Sequence, residues 1–204
     1  MPSLTIHGQQ YTYAVEGEGF PLFLVPDPGA AIRDWAQSMP LLGELCRVVA
    51  YEDTAPMPAE ETARSSVLLV EALAACLDAL AVERAYLAGY AGGGQTALRF
   101  ALRYSRRVEG LLLIGGHSPD GVLAESVGEI AIPMMLFVGG DTPAHLADAR
   151  PSTAQTLRCP RVVIPGAGTA PHREQPLRLG HAMLDFLLHC ERQRTLVRGA
   201  SFLL

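Results

Sequence analysis

The stretch Leu87-Ala88-Gly89-Tyr90-Ala91-Gly92-Gly93-Gly94-Gln95-Thr96-Ala97 decides the fold. Ala85 to Ala88 read as a short apolar strand that runs into a glycine-rich turn. An amphipathic helix follows from Gly92 to about Tyr104. A strand that reverses sharply into a helix leaves no space for side chains near the apex, so small residues crowd it.

Outward from this turn, the chain alternates between buried strands and helices. Leu4 to His7 and Tyr11 to Val15 read as two short strands around a polar Gly8-Gln9-Gln10 turn, a hairpin signal. Pro21–Val25, Arg47–Tyr51, Gly110–Ile114, Ile132–Val138 and Arg161–Ile164 are short apolar runs of the buried-strand type. Helices are expected over Ile32–Leu45, Glu60–Leu80, Pro143–Leu157 and Gln175–Arg192; Val67, Val70, Leu73, Leu77 and Leu80 give the second one its apolar face. This order predicts a single α/β domain over residues 1–192, with a mostly parallel sheet, an N-terminal β-hairpin and helices on both faces. Residues 193–204 read as a C-terminal tail whose Phe202-Leu203-Leu204 end docks on the domain. In such sheets the site lies at the carboxyl ends of the strands, so the turns after Val25, Tyr51, Ala88, Ile114, Val138 and Ile164 hold the candidates.

Composition excludes several function classes. The chain has 204 residues, enough for one domain with a full core, and nearly half are hydrophobic. The net charge of -5 and the absence of a basic cluster argue against a nucleic-acid partner. All sixteen basic residues are arginine, which excludes a Schiff-base lysine, a lysine-held pyridoxal cofactor and a P-loop lysine. Cys46, Cys76, Cys159 and Cys190 have no C-x-x-C spacing and read as free thiols of a reducing compartment. With no apolar leader in Met1–Gln10 and no apolar run long enough to span a bilayer, the expectation is a cytoplasmic protein without membrane attachment. His7, His117, His145, His172, His181 and His189 contain no H-x-x-x-H pair, so no metal is expected. No G-x-G-x-x-G follows a strand, and no cofactor is expected.

The pattern resembles the α/β-hydrolase family across nearly the whole chain. The matching stretches are Gly17–Val25, Leu87–Leu98 with Arg107-Val108-Glu109, Ile132–Gly139, and Pro165-Gly166-Ala167-Gly168 followed by Pro171-His172-Arg173-Glu174-Gln175-Pro176. The resemblance makes Gly89 to Gly93 a G-x-S-x-G nucleophile elbow in which Ala91 stands where the serine belongs. A methyl group cannot attack a carbonyl. The family's histidine usually follows Gly-Ala-Gly; here Gly166-Ala167-Gly168 leads to Thr169, a hydroxyl far too weakly basic for the role. His172 lies three residues on, either as a loop residue held by local hydrogen bonds or as a base that rotates into the site. Asp141 or Asp120 would be the acid, unless each only caps a turn.

The resemblance also implies an oxyanion hole. One donor, the Gly92 N–H, survives at a helix N-terminus. Counting back from Trp35 puts Pro26-Asp27-Pro28 on the triplet that supplies the other, where proline has no N–H and a carboxylate disfavours a developing oxyanion. Glu52-Asp53-Thr54-Ala55-Pro56 replaces the family's Asp-x-x-Gly-x-Gly loop, and only His117–Ala131 connects the strands between which many members insert a lid. The expectation is a lidless pseudo-hydrolase. Pro26, Asp27, Pro28, Tyr90, Ala91, Gly92, His117 and Thr169 would line a pocket for a small apolar or acyl ligand, or for a protein partner. The alternative is a hydrolase or cofactor-free proton-transfer enzyme working through other residues, His117-Ser118 being the most suggestive pair. Without a lid, and with an apolar terminus, a homodimer is expected.

Overall fold

A computed structural model describes residues 1–6, 8–27, 30–54, 62–115, 126–142 and 159–201, and the side chains of all of these except 62–66, 127 and 197–201. Eight strands form one sheet: β1 (Ser3–Ile6), β2 (Gln9–Glu16), β3 (Phe20–Val25), β4 (Cys46–Asp53), β5 (Ala85–Tyr90), β6 (Val108–Ile114), β7 (Met134–Gly139) and β8 (Arg161–Ile164). Their order is β1-β2-β4-β3-β5-β6-β7-β8. The hairpin β1–β2 and the β2–β4 pair are antiparallel; from β4 to β8 every pairing is parallel.

Strict period-two alternation divides the core between the two faces. Phe23, Val25, Val49, Leu87, Leu111, Leu113 and Leu136 point to one side. There they meet α2 (Thr62–Ala79) through Leu73, Cys76 and Leu77, and α3 (Gly92–Arg103) through Ala97, Leu98 and Phe100. Their chain neighbours Leu22, Leu24, Val48, Tyr86, Ala88, Leu112 and Phe137 point to the other side. That side is covered by α1 (Met39–Gly43) and by the long α5 (Pro176–Ser201), with Leu179, Met183 and Leu187 innermost. The expected class, a mostly parallel sheet with an N-terminal hairpin and helices on both faces, is the one observed.

Several element bounds differ from the sequence expectation for identifiable reasons. The helix expected over Ile32–Leu45 is broken into a 3₁₀ turn, Ile32–Trp35, and α1, because Pro40 lacks an N–H and sits at the start of α1. Pairing with β2 carries β4 past Tyr51 to Asp53, and Ile6 pairs with Gln9, so Gln9 and Gln10 belong to β2 rather than to the turn. Pairing with β6 carries β5 past Ala88 to Tyr90. β7 begins at Met134, just after Pro133, and not at Ile132. The last helix, α5, begins at Pro176 and continues past Arg192 to Ser201, and a separate helical turn, α4 (Pro171–Glu174), precedes it. The helix expected over Pro143–Leu157, and the docking of Phe202-Leu203-Leu204, lie outside the described residues.

Phe137 is fully buried on β7, facing the α5 side of the core. Phe137→Ala should cost about 3–5 kcal/mol in a urea-unfolding measurement, through lost burial and the cavity left behind.

Candidate functional site

The strand order changes direction at β3: β4 lies on one side of it and β5 on the other. In an open parallel sheet that reversal opens a crevice at the carboxyl ends of the two diverging strands. The residues that close it here are Pro26-Asp27 after β3 and Ala91-Gly92 after β5.

Ala91 has φ 50° and ψ −120°, a conformation that a non-glycine residue adopts only when its surroundings impose it. Two glycines impose it. A Cβ on Gly89 would lie 2.4 Å from the carbonyl carbon of Gly93, and a Cβ on Gly93 would lie 2.2 Å from the Val25 carbonyl oxygen. The strand, the turn and the helix are therefore wedged against the end of β3 with no side chain between them. The expected strand-to-helix reversal stands at the expected position, with a methyl group at its apex.

The first turn of α3 carries N–H groups that no residue within the helix can accept. Ala91, the N-cap residue, has no side-chain oxygen to offer them. Asp27 supplies it from across the crevice: the Gly92 N–H donates to Asp27 Oδ1 at 2.8 Å. A carboxylate is favoured there because the helix N-terminus is the positive end of the helix dipole. The amide expected to be a free donor is thus already engaged by the chain's own anion.

The other candidates sit on the loops after β7 and β8. Thr142, next to the exposed Asp141, donates its hydroxyl to the carbonyls of Gly139 (3.0 Å) and Gly168 (3.1 Å). The Asp141 N–H donates to the Ala167 carbonyl (2.8 Å), so the two loops are stitched together through backbone while the Asp141 carboxylate faces solvent. Thr169 is also exposed, on a loop clamped by Glu174. The Glu174 carboxylate accepts the N–H groups of Gly168 and Ala170, which holds its pKa below the usual range. The geometry therefore sets Asp141 and Thr169 on adjoining loops, both exposed.

His172 is the exception, because it is buried. Its ring lies 4.3 Å from the Tyr90 ring centroid and 5.0 Å from that of Trp35. Nδ1 has no hydrogen-bond partner among the described residues. Burial holds its pKa down to about 4; the neighbouring Arg173 charge acts in the same direction, while Asp34 and Glu174 oppose it. The histidine is neutral at pH 7, and its ring packs against those of Trp35 and Tyr90.

His117, Ser118, Asp120 and Pro28 lie outside the described residues. Of the residues expected to line a pocket, Pro26 abuts Gly93, and Asp27 is bonded to Gly92. Beside Ala91, a cavity of about 10 Å³ is bordered by Gly94, Leu98, Leu113 and Leu136, room for about one water molecule. Among the described residues no group of three or more metal-ligating side chains converges, and no helix is long and apolar enough to cross a membrane.

Sequence reasoning missed the Trp35–His172–Tyr90 stack and the Glu174 clamp. The stack joins residues far apart in the chain, and no local spacing signals it. The clamp had one cue, an acidic residue at the end of a Pro-initiated helical turn.

No protein-family model matches the chain. A 2-hydroxymuconate semialdehyde hydrolase of Pseudomonas sp. strain CF600 is 35% identical over 121 residues, which cover 56% of this chain and 42% of that protein. A 2-hydroxy-6-oxononadienedioate/2-hydroxy-6-oxononatrienedioate hydrolase of Paraburkholderia phymatum is 46% identical over 55 residues, 27% of this chain and 19% of its own length. The matched part thus spans less than half of these relatives. Among solved structures, a meta-cleavage product hydrolase of Pseudomonas fluorescens IP01, a serine-to-alanine mutant complexed with acetates, superposes with a TM-score of 0.76. It is 18% identical, and the match covers 93% of this chain and 98% of that one.

His172 gives the fold a pH dependence. Its pKa is about 4 when folded and about 6.5 when unfolded, so the unfolded chain binds the extra proton between these values. The contribution is complete above pH 6.5 and falls away as the pH drops toward 4. Wild-type unfolding free energy should fall by about 3 kcal/mol more than that of His172→Phe across this window, measured by urea unfolding at closely spaced pH values.

Proposed function

The chain is an α/β-hydrolase-fold protein with hydrolase relatives, and on that premise we propose that it is a non-hydrolytic member of the fold, a scaffold without serine-type acyl transfer. The contact that carries this reading is Gly92 N–H to Asp27 Oδ1. In the serine mechanism this amide stabilises the oxyanion, and losing a single such donor costs about 2.7–4 kcal/mol of transition-state stabilisation. Here the donor is engaged by a carboxylate, and a negative charge forming beside it would be repelled as well. A methyl stands at the nucleophile position and an exposed threonine at that of the base. Three separate groups thus depart from one mechanism.

The same reading assigns the protein a ligand-binding or partner-binding role, a lidless crevice, a cytoplasmic location and a homodimeric state. Four cysteines free of disulfides agree with a reducing compartment. The competing reading is proton transfer or hydrolysis through other residues. Among the described residues it would use Asp27, bonded to Gly92, or His172, packed on Tyr90. Both are poorly suited as bases. The Gly92 N–H and the helix dipole stabilise the Asp27 carboxylate, and burial depresses the basicity of His172.

Turnover of p-nitrophenyl acetate by the purified protein, with labelling by a fluorophosphonate probe, tests this. The wild type should stay at the buffer rate and unlabelled, and Ala91→Ser alone should remain unlabelled because Thr169 stands at the base position. Wild-type turnover above buffer that drops at least tenfold in Asp27→Asn or His172→Phe would replace this reading with the enzymatic one.

A further inference from the structure

A cavity among the described residues lies at the opposite end of the sheet from the elbow. It measures about 670 Å³ and opens between the amino ends of β6 and β7 and the second half of α5. Its origin is a mismatch of lengths. α5 has 26 residues, about 39 Å of helix, whereas β8 has 4 residues, about 13 Å of strand. The helix overhangs the sheet, and the space beneath the overhang is left unfilled.

Phe186, His189, Cys190, Gln193 and Arg194 all face this space, at the 3–4-residue spacing that puts them on one side of a helix. Val108, Ile132, Met134, Met135 and Phe186 make most of its wall apolar. The charged groups are arranged at one end. Glu109 Oε1 accepts from Arg84 Nε (2.9 Å) and from Arg194 (2.8 Å). Arg194 also bonds Glu191, which in turn accepts the Tyr86 hydroxyl (2.7 Å). The Glu109 side chain is only 8% exposed, but those of Arg84 and Arg194 are 45% and 30% exposed. The anion is therefore inside and the cations form the rim. Arginine offers only donors, so this rim is complementary to an acceptor, and a carboxylate matches it in charge as well.

We propose that this cavity is a binding site for a small, largely apolar molecule carrying one carboxylate, of the size of a medium-chain fatty acid, with its chain along Met135 and Phe186 and its head at Arg84. The volume falls in the range of small-molecule pockets, and an apolar wall with a few convergent polar groups is their usual make-up. It is far larger than the cavity of about 10 Å³ beside Ala91. The site stands whether or not the elbow is inert, since the two share no residue.

Displacement of a fluorescent fatty acid by decanoate, with decanol as the uncharged control, tests the proposal on the full chain. Decanoate should bind saturably at one site and at least tenfold more tightly than decanol, and Arg84→Ala should remove that preference. Since Arg84→Ala also breaks a pair with Glu109, a second variant, Ala131→Trp, fills the cavity from an exposed loop position and should abolish binding while circular dichroism stays native. Absence of saturable binding, equal affinity for decanoate and decanol, or wild-type affinity in Ala131→Trp would each overturn the assignment.

Discussion

The structure depends on how closely β5, its turn and α3 approach the end of β3. Gly93 touches the Val25 carbonyl and Gly89 touches Gly93, so a methyl group at either would have to push backbone aside. This wedge holds Ala91 at positive φ and aims α3 back across the sheet. Strain of this kind, on the order of 1–3 kcal/mol, persists only where neighbouring packing over-determines it. Here the packing is that of Phe23, Leu87 and Leu113 against Leu98 and Phe100.

The close approach has a second consequence. It brings the loop after β3 within hydrogen-bond reach of the first amide of α3. In an acyl-transfer site that amide waits for an oxyanion; in this chain Asp27 fills the role of the absent N-cap side chain. The contact is at once a helix cap, of the kind that contributes about 1 kcal/mol, and a charge placed where the family's chemistry needs none. The adjoining loops are tied in the same conservative manner. Thr142 links the β7 and β8 turns, Glu174 clamps the turn that carries Thr169, and His172 is fixed between two aromatic rings. Thr142 and Glu174 are thus committed to holding backbone and His172 is packed away from water, whereas Asp141 and Thr169 are exposed.

The two ends of the parallel sheet thus differ in character. At the carboxyl end, a cavity of about 10 Å³ among the described residues adjoins the elbow. At the amino end, the overhang of α5 leaves a cavity large enough for a small molecule, bordered by arginines whose counter-ions lie deeper. The cavity at the amino end arises from element lengths, one long helix lying over a short edge strand.

By itself the sequence determined what depends on local pattern. Alternating apolar runs such as Leu22 to Val25 and Leu111 to Ile114 marked buried strands, because residues of a buried strand must satisfy both faces. The glycines from Gly89 to Gly94 marked the reversal, because only small residues fit it. Ala91, Thr169 and Asp27 could be read as departures from a known pattern, since each is a substitution at a fixed spacing. Only the tertiary structure decided what those residues do. That Asp27 reaches Gly92, 65 residues away, follows from strand order. That His172 is buried between Trp35 and Tyr90 follows from how α4 packs against the turn after β3. The pairing of Arg84 and Arg194 with Glu109, and the space beside it, follow from where a long helix ends relative to a sheet. Distances between residues remote in the chain are set by packing, and no spacing along the chain encodes them.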